Sequence, residues 1–207
     1  MNTRTIAMRG IAAVAVLAGA GYPLLWRKRC LTWGASRAEA DHAMPGDEFL
    51  PGAPLVSTRA ITVDAQPSAI WPWLVQMGPG RGGAYTYDRI ENLFGLNMHS
   101  ANRILPEFQD LKAGDVIPLG AHGPHMRIEV LEPDHTMVLR SEDGLWVWSF
   151  TLCPQDGATR LISRNRIAAS DPTPASRAFS CYVMEPGSLV MERKMLLTLK
   201  ERAESMA

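Results

Sequence analysis

The stretch QMGPGRGGAYTYD, Gln76 to Asp88, contains a G-x-G-x-x-G match in Gly78, Gly80 and Gly83. In dinucleotide-binding folds this spacing makes a tight turn, lets the backbone approach a pyrophosphate and packs a helix closely on its strand. That chemistry requires a strand before the glycines. Here the preceding residues Ile70, Trp73, Leu74 and Met77 recur at i, i+3, i+4 and i+7, the spacing of one helical face. Gly78 therefore stands where a helix-ending glycine belongs, and the motif reads as a corner between two helices. No nicotinamide, flavin or other cofactor is expected.

Other reactive side chains cluster less tightly. Tyr85, Tyr87 and Arg81 follow the corner, where a phenol and a guanidinium can meet the polar end of a ligand or form structural hydrogen bonds. Asp88 and Glu91 read as support for the positive end of the second helix. His122 and His125 in HGPH have no helix to hold both rings and no carboxylate or thiol beside them, so no metal site is expected. His99 beside Ser100 imitates a base and a nucleophile but lacks a nucleophile elbow and a third partner. Cys30, Cys153 and Cys181 are odd in number and far apart, which suits neither a disulfide framework nor a zinc site. No catalytic residue is assigned.

The 207 residues carry 21 basic and 21 acidic side chains, a balance that gives no field toward nucleic acid. Their 46% hydrophobic share is ordinary for a folded domain. Gly10 to Trp26 is free of charge and is followed by Arg27-Lys28-Arg29. About 17 residues are the lower limit for spanning a hydrocarbon core, and cations after the span favour the cytoplasmic side. The expectation is a single-pass anchor over residues 1–31 with the domain in the cytoplasm. A cleaved signal peptide ending at Ala18-Gly19-Ala20 and a helix lying on the membrane surface are the competing readings.

Residues 32–54 are punctuated by proline and glycine and read as a linker, with Trp33 either at the membrane interface or packed on the domain. The domain itself is placed at 55–207. Ser57 to Ala65 reads as a strand with Ile61 and Val63 set against Arg59, Thr62 and Asp64. Pro67 to Met77 is a helix carrying Pro72, and a second helix follows with Ile90, Leu93 and Phe94 on one side. From Lys112 onward the pattern is a run of short strands. One aligns Trp146, Trp148, Phe150 and Leu152, and the next aligns Leu161, Ser163, Asn165 and Ile167 against Arg160, Arg164 and Arg166. A long amphipathic helix closes the chain, with Leu189, Glu192, Leu196, Leu199 and Ala203 on one stripe flanked by Met191 and Met195. The fold class is α+β, an antiparallel sheet with a helix on it, preceded by a transmembrane helix.

This order, together with TRAITVDAQPSAIWPWLVQMG, YTYDRIENLFGL and MERKMLLTLKERAE, resembles the START-like helix-grip superfamily (SRPBCC), which includes polyketide cyclases and lipid-transfer modules. WGAS, PGDEF and GRGGAYTYD are similar to a membrane-anchored bacterial subgroup. The resemblance implies a curved sheet gripping the C-terminal helix around an apolar cavity, and a role in binding a hydrophobic small molecule. It transfers no catalytic residue.

The candidate pocket residues are Trp146, Trp148, Phe150, Met191, Met195 and Leu199, with Tyr85 and Tyr87 near the mouth. Ser163 and Asn165 share the face of Leu161 and Ile167, and polar groups facing a cavity need a partner there. The expected function is a membrane-tethered binding domain for a lipid-like or polyketide-like molecule. A cyclase, aromatase or dehydratase in the same cavity, using Tyr85, Tyr87, His99 or Glu185 as acid or base, is the first alternative. An interaction module with a solid core is the second.

Overall fold

A computed structural model describes residues 21–93, 95–120, 123–170 and 173–206, except the side chains of Pro23 and Leu24. The helices are α1 (Arg27–Leu31), α2 (Arg37–Asp41), α3 (Pro67–Val75), α4 (Asp88–Leu93), α5 (Pro174–Phe179) and α6 (Glu185–Glu204). The strands are β1 (Leu55–Val63), β2 (Val116–Pro118), β3 (His125–Glu132), β4 (Thr136–Ser141), β5 (Trp146–Gln155) and β6 (Ala158–Ile167). All six form one curved antiparallel sheet in the order β1-β6-β5-β4-β3-β2. A register shift between Ile128 and Val130 is the kind of bulge that bends a strand and deepens a sheet's curl.

The sheet holds its inner face by strand alternation. Register aligns Arg59, Ser163 and Phe150 in one row across β1, β6 and β5, and Ile61, Leu161 and Leu152 in the next. Arg59 thus shares a face with Ile61 and Val63, which corrects the expectation that it opposes them. α6 lies across this inner face, burying Met195, Leu196, Leu199 and Ala203, while α3 adds Ile70, Trp73 and Leu74. Each large apolar side chain so buried contributes about 1.5–3 kcal/mol. α3 begins at Pro67 in its first turn, where the missing N–H is harmless, and carries Pro72 inside it.

The glycine corner closes by paired backbone hydrogen bonds between Gly78 and Gly83. Arg81 fills it, donating to the carbonyls of Val75, Met77 and Phe108 at 2.9–3.2 Å. Val75 and Met77 stand at the end of α3 and Phe108 in a 3-10 turn beyond α4, so the motif is a helix stop and not a phosphate cradle.

The stretch expected as a linker lies on the outer face of the sheet. Glu39 pairs with Arg160 at 2.7 Å, and Asp47 with Arg164 at 2.6 Å and Arg166 at 3.1 Å. The three arginines do oppose Leu161, as the alternation demands, but this segment covers them. Trp33 accepts a backbone bond from Ala60 and packs on the main core, with Arg193 over its ring at 5.2 Å. Gly34, at φ +73°, would place a Cβ 2.1 Å from the Ala60 carbonyl oxygen, so only glycine lets the segment approach this closely.

The N-terminal end of the described chain is also docked. A π-helical turn, Tyr22–Trp26, leads into α1, and Arg27 donates to both oxygens of Glu185 at 2.9 Å, with the Tyr22 hydroxyl at 3.2 Å. Among the described residues no helix is long and apolar enough to cross a membrane. Gly10 to Ala20 of the expected anchor lie outside the described residues. A helix over Pro174–Phe179 and a π-helical turn over Ser180–Met184 precede α6, neither of which the sequence pattern announced.

Candidate ligand cavity

The inner face is solid at one end and hollow at the other. Where β5 contributes Leu152 and α6 contributes Leu196 and Leu199, the side chains are fully buried and close-packed. Where β5 contributes Trp146, Trp148 and Phe150 and α6 contributes Met191, Glu192 and Met195, they enclose a cavity of about 680 Å³. That volume lies within the range of small-molecule sites, about 300–1,000 Å³. Trp146 and Trp148 stack at 5.8 Å between ring centres, and Phe150 tilts against Trp148 at 4.8 Å. Methionines Met77, Met98, Met126 and Met137 line the rest of the wall, a soft surface that adapts to shape.

At the β1 and β6 side of this cavity lies a buried polar network. Arg59 is fully buried and forms an ion pair with Glu192, while its other donors reach the Cys30 carbonyl at 3.2 Å and Ser188 Oγ at 2.9 Å. Ser163 donates to Glu192 at 2.6 Å, and Asn165 Nδ2 lies 3.3 Å from it. The indole N–H groups complete the set, Trp146 donating to Asn165 Oδ1 at 2.8 Å and Trp148 to Ser163 Oγ at 2.9 Å. Burial pushes the Glu192 carboxyl upward, against the Arg59 charge and the donors, which favour its ionised form.

A second carboxyl faces the cavity from α4. Glu91 is 7% exposed and lines the wall together with Thr86, Leu96 and Met98. Glu91 Oε2 and Thr86 Oγ1 are both buried and neither makes a well-formed hydrogen bond, although the two groups lie near each other. Burial raises the Glu91 carboxyl above its ordinary value, the nearby Thr86 hydroxyl offsets part of this, and the charge of Asp88 adds to it. α4 therefore turns Glu91 inward and leaves Ile90 and Leu93 45% and 84% exposed, the reverse of the expected apolar side; Phe94 lies outside the described residues.

Of the ten expected pocket residues, Trp146, Trp148, Phe150, Asn165, Met191 and Met195 line the cavity. Ser163 stands just behind, fully buried and bonded to Glu192. The partner foreseen for Ser163 and Asn165 is thus a side chain of α6. Leu199 lies in the solid half. Tyr85 is in the core, its hydroxyl donating to the Trp73 carbonyl at 2.9 Å under the Arg202 guanidinium, and burial pushes it up to about 12. Tyr87 is 41% exposed and off the wall.

The remaining candidates have structural partners. Ser100 bonds Asp88 at 2.5 Å while His99 is exposed. His125 pairs with Glu142 at 3.3 Å, and His122 lies outside the described residues. Glu185 is taken by Arg27 and Tyr22. Arg59, Glu192 and Glu91 were missed as cavity residues. Strand parity alone would have found Arg59, and a lone carboxylate in the apolar stripe of α6 marked Glu192. Nothing in a helix of barely two turns fixes the phase of Glu91.

No model of a known protein family matches the sequence, and no curated protein does. Solved structures are similar at low identity. A Rhodobacter sphaeroides protein is 18% identical over 76% of this chain and 97% of its own, with a TM-score of 0.49. The KanY protein is 16% identical over 74% of this chain and 99% of its own, with a TM-score of 0.47. The Polyketide_cyc-like protein Cgl2372 from Corynebacterium glutamicum is 13% identical over 76% and 93%, with a TM-score of 0.40. The fold stands on the strand order, the register and the terminal helix: an α+β domain in which a six-stranded antiparallel sheet curls around α6.

Proposed function

We propose that this chain is a binding domain for a hydrophobic or amphipathic small molecule, lipid-like or polyketide-like, held between the sheet and α6. The observation that carries this reading is the hollow half of the inner face, walled by stacked indoles and methionines beside a half that is packed solid. Because Trp146 and Trp148 line the space, ligand entry should shift their emission. Titration with 1-decanol is expected to give a saturable change. A flat response across alcohols, fatty acids and planar aromatic compounds would refute the reading.

The same reading includes a membrane tether. Leu25, Trp26, Phe179, Val183 and Met184 are each more than half exposed, and Met184 also lines the cavity. Exposed Lys28, Arg29 and Arg177 accompany them, an apolar and cationic mixture suited to a lipid surface. This supports the uncharged run from Gly10 as an anchor with the domain on the cytoplasmic side. A reporter fused after Ala207 should be active only in the cytoplasm, and the protein should resist carbonate extraction. A mature chain beginning at Gly21 would make the leader a signal peptide instead.

A second reading has its own observation. Acid-base chemistry needs a proton-carrying group within reach of the substrate, and Glu91 supplies one on the cavity wall. A cyclase using it would return its substrate as a ring isomer of equal mass and a dehydratase would release a product lighter by one water, whereas a binding domain returns its ligand unaltered.

A further inference from the structure

The two polar regions of the cavity differ in how far their bonding is complete. Glu192 already accepts from Arg59, Ser163 and Asn165, and its network closes on itself through the two indoles. Glu91 and Thr86 stand on the opposite side. Their segment reaches the β2 edge of the sheet, where Gly120 backs on Leu96 and Gly78 on Ile117. Arg59 lies on β1, at the other edge. The two polar regions therefore lie toward opposite edges of the sheet, with the apolar wall between them.

A buried carboxyl oxygen and a buried hydroxyl oxygen with no partner beyond a loose approach to each other are uncommon, and a buried polar atom left unbonded costs about 1–3 kcal/mol. No cation lies within ion-pair distance of Glu91 among the described residues, and its neighbours on the wall are carbon. Such surroundings favour the protonated form of a carboxyl, which can both donate and accept a hydrogen bond. Its terminal torsion is broad and two-fold, so a small rotation exchanges the oxygen presented to the cavity.

We propose that Glu91 and Thr86 form a recognition point for an uncharged oxygen, a hydroxyl or a carbonyl, on the molecule bound in the cavity. This rests on the binding reading above and narrows it. The ligand is an amphiphile whose apolar body lies along Trp146, Trp148 and the methionines and whose neutral oxygen sits at the α4 end. An ionised carboxylate is disfavoured at that end, since Asp88 already places negative charge beside Glu91 and carbon walls screen nothing.

The test compares two probes of equal length in the full chain and in two variants. 1-Decanol carries the hydroxyl; 1-chlorodecane fills the same space without a useful hydrogen bond. Glu91→Leu should weaken 1-decanol about five- to tenfold, the effect of losing one hydrogen bond, and leave 1-chlorodecane within about twofold. Glu91→Gln keeps a donor and an acceptor and should hold 1-decanol within about threefold of the parent. Equal weakening of both probes by Glu91→Leu, or of neither, overturns the recognition point while the cavity reading stands. If the parent chain binds neither probe, the recognition point is overturned as well, and the binding reading fails with it only if fatty acids and planar aromatic compounds also leave the tryptophan emission unchanged. Urea unfolding of Glu91→Leu separates lost recognition from lost fold, because a properly folded variant unfolds with an unchanged slope.

Discussion

Two buried carboxyl groups stand on the wall of one cavity and are treated in opposite ways. Glu192 comes off α6 into a set of donors, Arg59, Ser163 and Asn165. Glu91 comes off α4 onto carbon, with only the Thr86 hydroxyl at hand. An isolated buried charge is destabilising by several kcal/mol, and a protein escapes this either by pairing the charge or by leaving the group protonated. The first solution makes Glu192 part of the architecture, tying α6 to β1 and β6. The second leaves Glu91 with unused bonding capacity, which is what a ligand can use.

The sharpest way to break this comparison is to remove one member of the network. Arg59→Leu strands Glu192 in a buried site and should destabilise the domain by about 3–5 kcal/mol, read from urea unfolding. The double variant Arg59→Leu with Glu192→Leu should recover most of that loss, since two apolar groups need no partners. A single variant as mild as a surface substitution would mean that the network is not architectural.

Next in size is the contrast between the solid and hollow halves of α6. Leu199→Ala removes a fully buried side chain from packed surroundings and should destabilise by roughly 2–5 kcal/mol. Met191→Ala, on the cavity wall and only partly buried, should cost about 1 kcal/mol or less, because it widens an existing space. Its effect should appear in probe affinity. Equal thermal shifts for the two would show that the hollow half is packed after all.

Glu91 should move stability the other way. Replacing a buried carboxyl that lacks partners by leucine removes its desolvation penalty, so Glu91→Leu should stabilise by about 1–3 kcal/mol while weakening 1-decanol. Gains of this sort at the expense of function mark sites kept for a ligand.

The same contrast explains what the sequence disclosed. Strand alternation announced Trp146, Trp148 and Phe150 on one face and Ser163 and Asn165 on the matching face of β6, because a period of two leaves no freedom once register is set. The stripe of α6 was equally plain. Tyr85, Tyr87 and Leu199 were drawn to the pocket by residue type, yet whether a side chain lines a cavity or fills a core depends on how far two layers separate, which no period encodes. Glu91 was hidden for a related reason: α4 is too short for amphipathicity to fix its inward side. Residues 32–54 carry the composition of a linker, and their docking depends on ion pairs to arginines far along the chain, Glu39 to Arg160 and Asp47 to Arg164 and Arg166. Such pairings follow from the closed sheet and not from local pattern.

The smallest expected effect compares Glu91 with a carboxylate outside the cavity. Glu39, on the outer face, is lowered from the ordinary 4.5 to about 2, chiefly by its hydrogen bond to Arg160 and further by Ser36, with burial opposing. A depressed carboxyl stabilises the fold above its unfolded value and loses that contribution as the pH falls from about 4.5 toward 2. Glu91 has the opposite sign. Its raised folded value means that the folded state holds a proton the unfolded chain has released, so stability declines as pH rises above about 4.5 through the folded value. Asp88 strengthens that decline and Thr86 moderates it. Unfolding free energy measured from pH 2.5 to 7 should therefore keep its upper slope but lose part of its acid limb in Glu39→Gln, and do the reverse in Glu91→Gln. If Glu91→Gln leaves the limb above pH 4.5 unchanged, Glu91 is ionised in the folded protein, and the hydrogen bond it offers a ligand is that of an acceptor alone.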